Sequence, residues 1–307
     1  MIKLLPNSEI DRVKWNKCVS SAENASVFSL AWYLDAIHPE WYGLIKDDFV
    51  SVVPICTSKK VLHKSLVQPV FSRYTNVFPY DSEFVDFYSN YLNSFDRVAC
   101  CYSVRFSKLR GEFTNKVYQE IRLNSSYEII RLGYAKNALR ILKRNSESIS
   151  VQSDEDFKKT IKLFSSVKAR ELGFKKARLE SLENLMLNAI QNKMAFAVHA
   201  YGKQGELLAT GFFLRFQGII TYLKGASTDE GKKTGAMYSI MDYVIKTNSE
   251  KFEKLDFGGS NVFSVAQFFK KFGAYDVPYY LYSQGKEPVY IKVLKRLKQK
   301  LSKNHVD

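Results

Sequence analysis

The chain has 307 residues, 46% of them hydrophobic, so it can bury a sizeable core and is globular rather than disordered. Its formal net charge of +15 is lopsided: residues 1–132 carry 16 basic and 14 acidic side chains, whereas residues 133–307 carry 30 and 17. No window approaches the ~18 apolar residues of a spanning helix, and Pro6 interrupts the N-terminal stretch before a secretory segment forms, so cytoplasmic residence is expected.

In chain order, residues 8 to 37 read as helical pieces anchored by Trp15, Val19, Phe28, Trp32 and Leu34, ended by Pro39. Trp41–Ile45, the Asp47-Asp48 turn and Phe49–Cys56 read as a hairpin, and Leu66–Phe71 as a strand with Pro69 at an edge or bend. Phe84–Leu92 has helical spacing, and Arg97–Phe106 alternates as a strand. Tyr134–Asn145 places cations three and four residues apart, which brings them to one helix face suited to phosphate.

The Ser-rich stretch Asn145–Ser153 is the expected seam between two domains, 1–145 and 146–307. Helices are expected over 154–173 and 179–192. Ala195–Tyr201, Leu207–Phe216 and Ile219–Ala226 follow as an antiparallel meander turning at Gly202–Gly205 and Gly218. A loop Ser227–Thr234 then enters a helix from Gly235 to Asn248, before the strand Lys254–Phe257.

The densest chemistry follows that strand. Leu255-Asp256-Phe257-Gly258-Gly259-Ser260 runs into Phe268-Phe269-Lys270-Lys271-Phe272-Gly273-Ala274. Glycines allow close backbone approach to a ligand, and lysines beside aromatics suit a developing negative charge. A strand, loop and helix with buried phenylalanines and solvated lysines accounts for the same residues. Cys18, Cys56, Cys100 and Cys101 read as reduced core thiols, and no His or Cys spacing signals a metal site or a hydrolase triad. Val289–Lys303 sets Tyr290, Leu294, Leu297 and Leu301 in a stripe ringed by lysines and Arg296, fit for an anionic membrane face, for RNA, or for docking on the core with a solvated basic face.

The order helix, helix, three antiparallel strands, helix, strand resembles the GNAT acyltransferase fold. The chain more closely resembles the Fem family of tandem-GNAT aminoacyltransferases, which transfer amino acids from aminoacyl-tRNA to peptidoglycan precursors. Trp32, the basic helix Tyr134–Arg144, Ala209-Thr210-Gly211, Tyr222-Leu223-Lys224-Gly225-Ala226-Ser227 and Asp256–Ser260 with the Phe-Lys segment carry the resemblance. It implies an α/β (α+β) fold of tandem GNAT-like domains, each a mixed, largely antiparallel sheet flanked by helices, with an acceptor side before residue 146 and a donor side after it.

The resemblance assigns roles residue by residue. Lys270, with Lys271 as the alternative, is the expected stabiliser of the reacting carbonyl, with Tyr222 and Asp256 beside it. Lys224, Lys232, Lys233, Thr234 and Gly235 are expected on the donor, and Trp32, Lys176 and Arg178 on the acceptor. Two departures stand out: Lys224 occupies the place of a second family tyrosine, and Leu34 that of a family lysine two residues after the tryptophan that grips a diphosphate.

The expected reaction is attack of an acceptor amine, in cell-envelope or peptidoglycan chemistry, on an aminoacyl-tRNA ester, without a bound cofactor or metal. Charged tRNA is the expected partner, with peripheral association at the inner membrane face. Acyl-CoA-dependent transfer to a sugar or peptide amine is the second reading, and a non-catalytic basic RNA- or membrane-binding protein the third. The charge favours phosphate-rich partners in each case.

Overall fold

The last described strand of the chain lies inside a sheet that both halves build. The computed structural model describes residues 1–60, 63–169, 173–258 and 262–285. The first half runs β1 (Ile2–Pro6), α1 (Arg12–Ser21), α2 (Ala31–Ile37), β2 (Tyr42–Lys46), β3 (Ser51–Ile55), β4 (Thr57–Lys60), β5 (His63–Val67), α3 (Ser82–Leu92), β6 (Arg97–Tyr102) and β7 (Glu112–Arg122). Then come α4 (Tyr127–Leu132), α5 (Lys136–Asn145), β8 (Ser150–Asp154), α6 (Phe157–Phe164), α7 (Lys176–Gln191), β9 (Ala195–Tyr201), β10 (Leu207–Phe216) and β11 (Ile219–Ser227). The chain continues through α8 (Asp229–Thr234), α9 (Ala236–Asn248), β12 (Lys254–Asp256), α10 (Phe263–Lys270) and β13 (Tyr275–Gly285).

Among the described residues, β1–β2–β3 form a small antiparallel sheet, and ten strands form the large one in the order β4-β5-β6-β13-β7-β12-β11-β10-β9-β8. β13 inserts between β6 and β7, pairing Tyr282 with Cys100 on one edge and with Phe113 on the other. The parallel pairs are β5 with β6 and β11 with β12. No helix among the described residues is long and apolar enough to cross a membrane.

Local chemistry sets the elements. Asp11 caps α1 by accepting from the Val13 and Lys14 N–H groups, and Asp81 caps α3 by accepting from Phe84 N–H. Along α3, Phe84, Val85, Tyr88 and Leu92 fall on one buried stripe. β10 is buried from Leu208 to Leu214 because helices cover both its faces. Phe212 enters the core shared with α1, α2, α6 and α7, whereas Phe213 enters the core beneath α9 and α10. Each fully buried ring contributes roughly 1.5–3 kcal/mol.

A polar thread crosses this sheet. His199 on β9 is bonded through Nδ1 to Thr210 Oγ1 at 2.9 Å and through Nε2 to Asp154 Oδ1 at 3.0 Å. Thr210 meets Thr160 of α6 at 2.6 Å, so β8, β9, β10 and α6 are tied through buried hydroxyls.

Several expectations shift. The seam over Asn145–Ser153 runs into β8, whose residues pair with β9 and so have a sheet partner that composition alone does not reveal. The expected strand Leu66–Phe71 is displaced toward the N-terminus, because Pro69 cannot donate to a ladder. The helix expected from 154 begins at Phe157, capped by Asp156, and loosens into a π-turn at Ser165–Ala169. The loop Ser227–Thr234 is mostly helix α8, capped by the Thr228 hydroxyl, which accepts from Gly231 N–H at 2.9 Å. The helix expected over Val289–Lys303 lies outside the described residues, as do Gly259 and Ser260.

Candidate active site

The large sheet opens beside Tyr222. β11 and β12 pair in parallel through Ile219–Lys254, Ile220–Leu255 and Thr221–Asp256. β12 ends there while β11 continues to Ser227. Beyond Thr221, β11 keeps β10 on one edge and has no described strand on the other. Gly258 turns the chain over this edge with φ of 81°, and a Cβ there would stand 2.4 Å from the Tyr222 carbonyl oxygen, so only glycine permits the approach.

A bulge decides which way the next side chains point. Phe213 pairs with Tyr222 and Phe212 with Lys224, leaving Leu223 as the extra residue. Without it, Tyr222 and Lys224 would share a face, being two residues apart. With it, Tyr222 packs on the α9/α10 side, its ring 5.3 Å from Phe213 and 6.1 Å from Phe269. Lys224 turns to the α6 side, where its ammonium lies 5.8 Å from the Phe71 ring centre and 6.0 Å from that of Phe164. Burial lowers the Lys224 pKa, and the charge of Arg178 lowers it further. Burial raises that of Tyr222, keeping its hydroxyl protonated.

A cavity of about 270 Å³ lies at this opening, lined by Gln68, Phe71, Arg73, Tyr222, Lys224 and Gly258 among others. Phe71 holds a left-handed backbone with φ of 70°, and the Tyr33 hydroxyl donates to its carbonyl at 2.7 Å. Strain of this kind persists where surrounding structure fixes it. Beside it, Arg73 is buried with its guanidinium 4.2 Å from the Tyr118 ring centre and ion-paired to Asp256. Burial alone would lower the Arg73 pKa, but the Asp256 charge and hydrogen bond outweigh it and drive it up. The second Asp256 oxygen accepts from Gly258 N–H at 2.9 Å, so this carboxylate pins both the arginine and the glycine crossing.

The remaining expected site residues lie around this centre in separate groups. Phe269 and Phe272 stack on Phe257, with Phe269 at 4.7 Å, and fix the end of α10 against the sheet. There Lys270 donates to Asp276 Oδ2 at 2.6 Å, and Lys271 to the Tyr238 hydroxyl at 2.9 Å. Neither lysine lines the cavity. Lys232 and Lys233 pair within α8 to Asp229 and Glu230 at 2.8 and 3.6 Å. The Thr234 hydroxyl donates back to the Glu230 carbonyl at 2.9 Å, and Gly235 joins α8 to α9 with φ of 75°. Arg144 and Asn145 of the basic helix donate to the Thr234 and Gly235 carbonyls.

On the other side, Trp32 is half-buried on α2, its ring edge-on to Tyr33 at 5.4 Å and its indole N–H buried without a hydrogen-bond partner among the described residues. Lys176 is 92% exposed at the start of α7, 3.8 Å from Glu180. Arg178 covers the Phe174 ring at 5.1 Å and acts electrostatically on Lys224, so these two share one environment. Sequence reasoning missed Arg73, Phe71 and Tyr33. The available signal was a lone arginine in the otherwise uncharged stretch from Ser65 to Tyr80.

No protein-family model and no curated protein matches the chain. Among solved structures, it superposes on FemX with a TM-score of 0.67 at 11% identity, covering 91% of this chain and 97% of that one. It is similar to L-PGS from Bacillus licheniformis, with a TM-score of 0.57 at 14% identity, covering 92% and 95%. A tandem GNAT protein from the clavulanic acid biosynthesis pathway superposes with a TM-score of 0.52 at 9% identity, covering 94% and 100%. The mixed sheet, the helices on its two faces and these superpositions give the chain a Fem/GNAT-like fold.

Proposed function

We propose that the chain is a Fem-like N-acyltransferase that moves an aminoacyl group from aminoacyl-tRNA to an amine acceptor, in cell-envelope or peptidoglycan chemistry. The observation that carries this reading is the opening between β11 and β12, which joins the Tyr222 face of the sheet to the Lys224 face. A donor carbonyl arriving from the α9/α10 side meets an amine held on the α6 side.

The acceptor nitrogen attacks the ester carbonyl, a C–N bond forms, the C–O bond to the tRNA ribose breaks, and the ribose oxygen leaves with a proton. The protein supplies positioning and charge stabilisation rather than a nucleophile. Lys270 meets the oxyanion after exchanging Asp276 for the substrate, with Lys271 beside it. Asp256 anchors Arg73 and Gly258 at the rim, and Tyr222 bounds the donor side. Domains 1–145 and 146–307 present acceptor and donor respectively, with β11 and α7 contributing to the acceptor side as well.

The second reading, transfer from acyl-CoA, needs a pyrophosphate site before α9. Helix α8 occupies that stretch, its lysines are paired, and α5 holds the Thr234 and Gly235 carbonyls. That arrangement favours the tRNA donor. The test is transfer of a labelled amino acid from a charged tRNA pool to amine acceptors, against acyl-CoA donors. Product from acyl-CoA alone replaces the first reading by the second.

A further inference from the structure

The outer face of α9 borders a groove that the proposed reaction does not use. Ser239, Asp242, Tyr243 and Lys246 recur at intervals of three and four, so they form one stripe of the helix. α4, α5 and β8 rise around that stripe and bound a space of about 1070 Å³ with it. None of the residues lining this space lines the opening at Tyr222. Its walls are tied in place: Ala135 N–H donates to the Lys271 carbonyl at 2.9 Å, and Asn145 Nδ2 donates to Ser239 Oγ at 3.2 Å. The groove is therefore formed before any ligand arrives.

Two kinds of side chain line it. Leu132, Leu139, Leu142, Ile149 and Val151 make aliphatic walls, and Leu132 is 85% exposed. Around them stand Arg131, Arg140, Lys143 and Lys246, all exposed. Among the described residues none of these four cations has an ion-pair partner, although Lys232 and Lys233 on neighbouring α8 each hold a carboxylate. Arg140 donates to the neutral Asn137 side-chain oxygen at 2.9 Å. Two carboxylates share the groove. Glu128 is exposed, and Asp242 accepts from the Tyr127 hydroxyl at 2.8 Å, with its pKa raised by burial and pulled back by its neighbours, Arg131 and Lys246 included. Four cations against two acids leave the rim positive.

Aliphatic walls left open to water favour a hydrocarbon, by roughly 25 cal/mol for each Å² covered. A positive rim favours an anionic end. RNA would satisfy the rim alone, since bases stack on aromatic faces, and the Tyr127 ring already carries Lys246 at 5.7 Å. A bilayer calls for a protruding apolar face, whereas this one is concave and has the volume of a whole small-molecule site. We propose that the groove between α4, α5, α9 and β8 binds a free single-chain anionic amphiphile, its aliphatic chain along Leu132, Leu139 and Ile149 and its carboxylate or phosphate at Arg140 and Lys143. The site stands apart from acyl transfer and holds whether or not the opening at Tyr222 is catalytic.

The experiment is calorimetric titration of the full chain with dodecanoate and, separately, with dodecyl phosphate, each below its micelle concentration. Saturable binding of one chain per protein is expected, and the tighter probe names the anionic group. Arg140→Gln/Lys143→Gln is expected to weaken binding by about tenfold or more. Leu132→Asp is expected to act similarly, through repulsion and lost apolar contact. All three positions are exposed, so thermal midpoints equal to wild type are expected, and Lys203→Met, in the exposed turn between β9 and β10, leaves affinity unchanged. Dodecyl maltoside, with the chain and no charge, and acetate, with the charge and no chain, are each expected to bind at least about tenfold more weakly. Equal binding of dodecyl maltoside, equal affinity in wild type and the groove variants, or binding to anionic vesicles with no free chain bound overturns the site. Capture of an RNA oligonucleotide through Arg140 and Lys143, with no amphiphile bound, overturns it as well.

Discussion

Arg73 and Asp256, 183 residues apart, meet as a buried ion pair at the foot of the opening between β11 and β12. The pair fastens the first half of the chain to the strand end at which the sheet opens. Removing one partner strands a buried charge, so Asp256→Asn and Arg73→Leu are each expected to cost about 3–5 kcal/mol in denaturant unfolding. The double variant Arg73→Leu/Asp256→Leu is expected to recover most of that loss. Additive losses would mean that the two groups do not depend on each other.

Lys224 carries its charge at a cost in stability. Burial and Arg178 place its folded pKa below 10.5. Between that lowered value and 10.5 the unfolded chain binds more protons, so this residue's contribution to stability rises with pH there and is least favourable below it. Lys224→Met should therefore stabilise the protein near neutral pH by about 1 kcal/mol, with the gain shrinking as pH rises. Thermal melts at several pH values check it; a loss of stability at neutral pH would contradict it.

His199 gives a pH dependence of the same sign, in an acid window. Burial lowers its folded pKa below 6.5, although Asp154 pulls the other way. The unfolded chain takes a proton near 6.5 that the folded chain resists, so stability is held above that pH. It falls as pH drops through 6.5 toward the lowered value, by at most about 1.4 kcal/mol per pH unit. His199→Gln should flatten this slope in urea titrations. A slope unchanged by the substitution would place the acid sensitivity elsewhere.

At the end of α10, Lys270→Ala is expected to lower kcat by about 10²-fold with little change in KM, because the charge is used only as the oxyanion forms. Lys271→Ala loses a hydrogen bond to Tyr238 and should act more weakly. Full turnover in both variants would remove the assignment.

Much of this fold was legible because its signals are local. The β9–β10–β11 meander follows from alternation and turn glycines, and α3 from its apolar stripe. β13 and β7 were not legible, since each is defined by pairing across more than a hundred residues. Tyr222 and Lys224 could be named from sequence, but their placement on opposite faces could not, because a bulge at Leu223 leaves no compositional mark. Arg73 went unseen for a similar reason: its partner is Asp256, and only the folded sheet brings the two together. Helix α8 was missed because a six-residue stretch with Gly231 inside it and Gly235 just after it reads as a turn, and the Thr228 cap tips it to helix.

The most direct test of aminoacyl transfer is equilibrium binding of the purified chain to a charged tRNA pool at physiological salt, with uncharged tRNA and CoA as competitors. Preference for charged over uncharged tRNA, unaffected by CoA, is the predicted result. Displacement by CoA, or equal competition by uncharged tRNA, would contradict it.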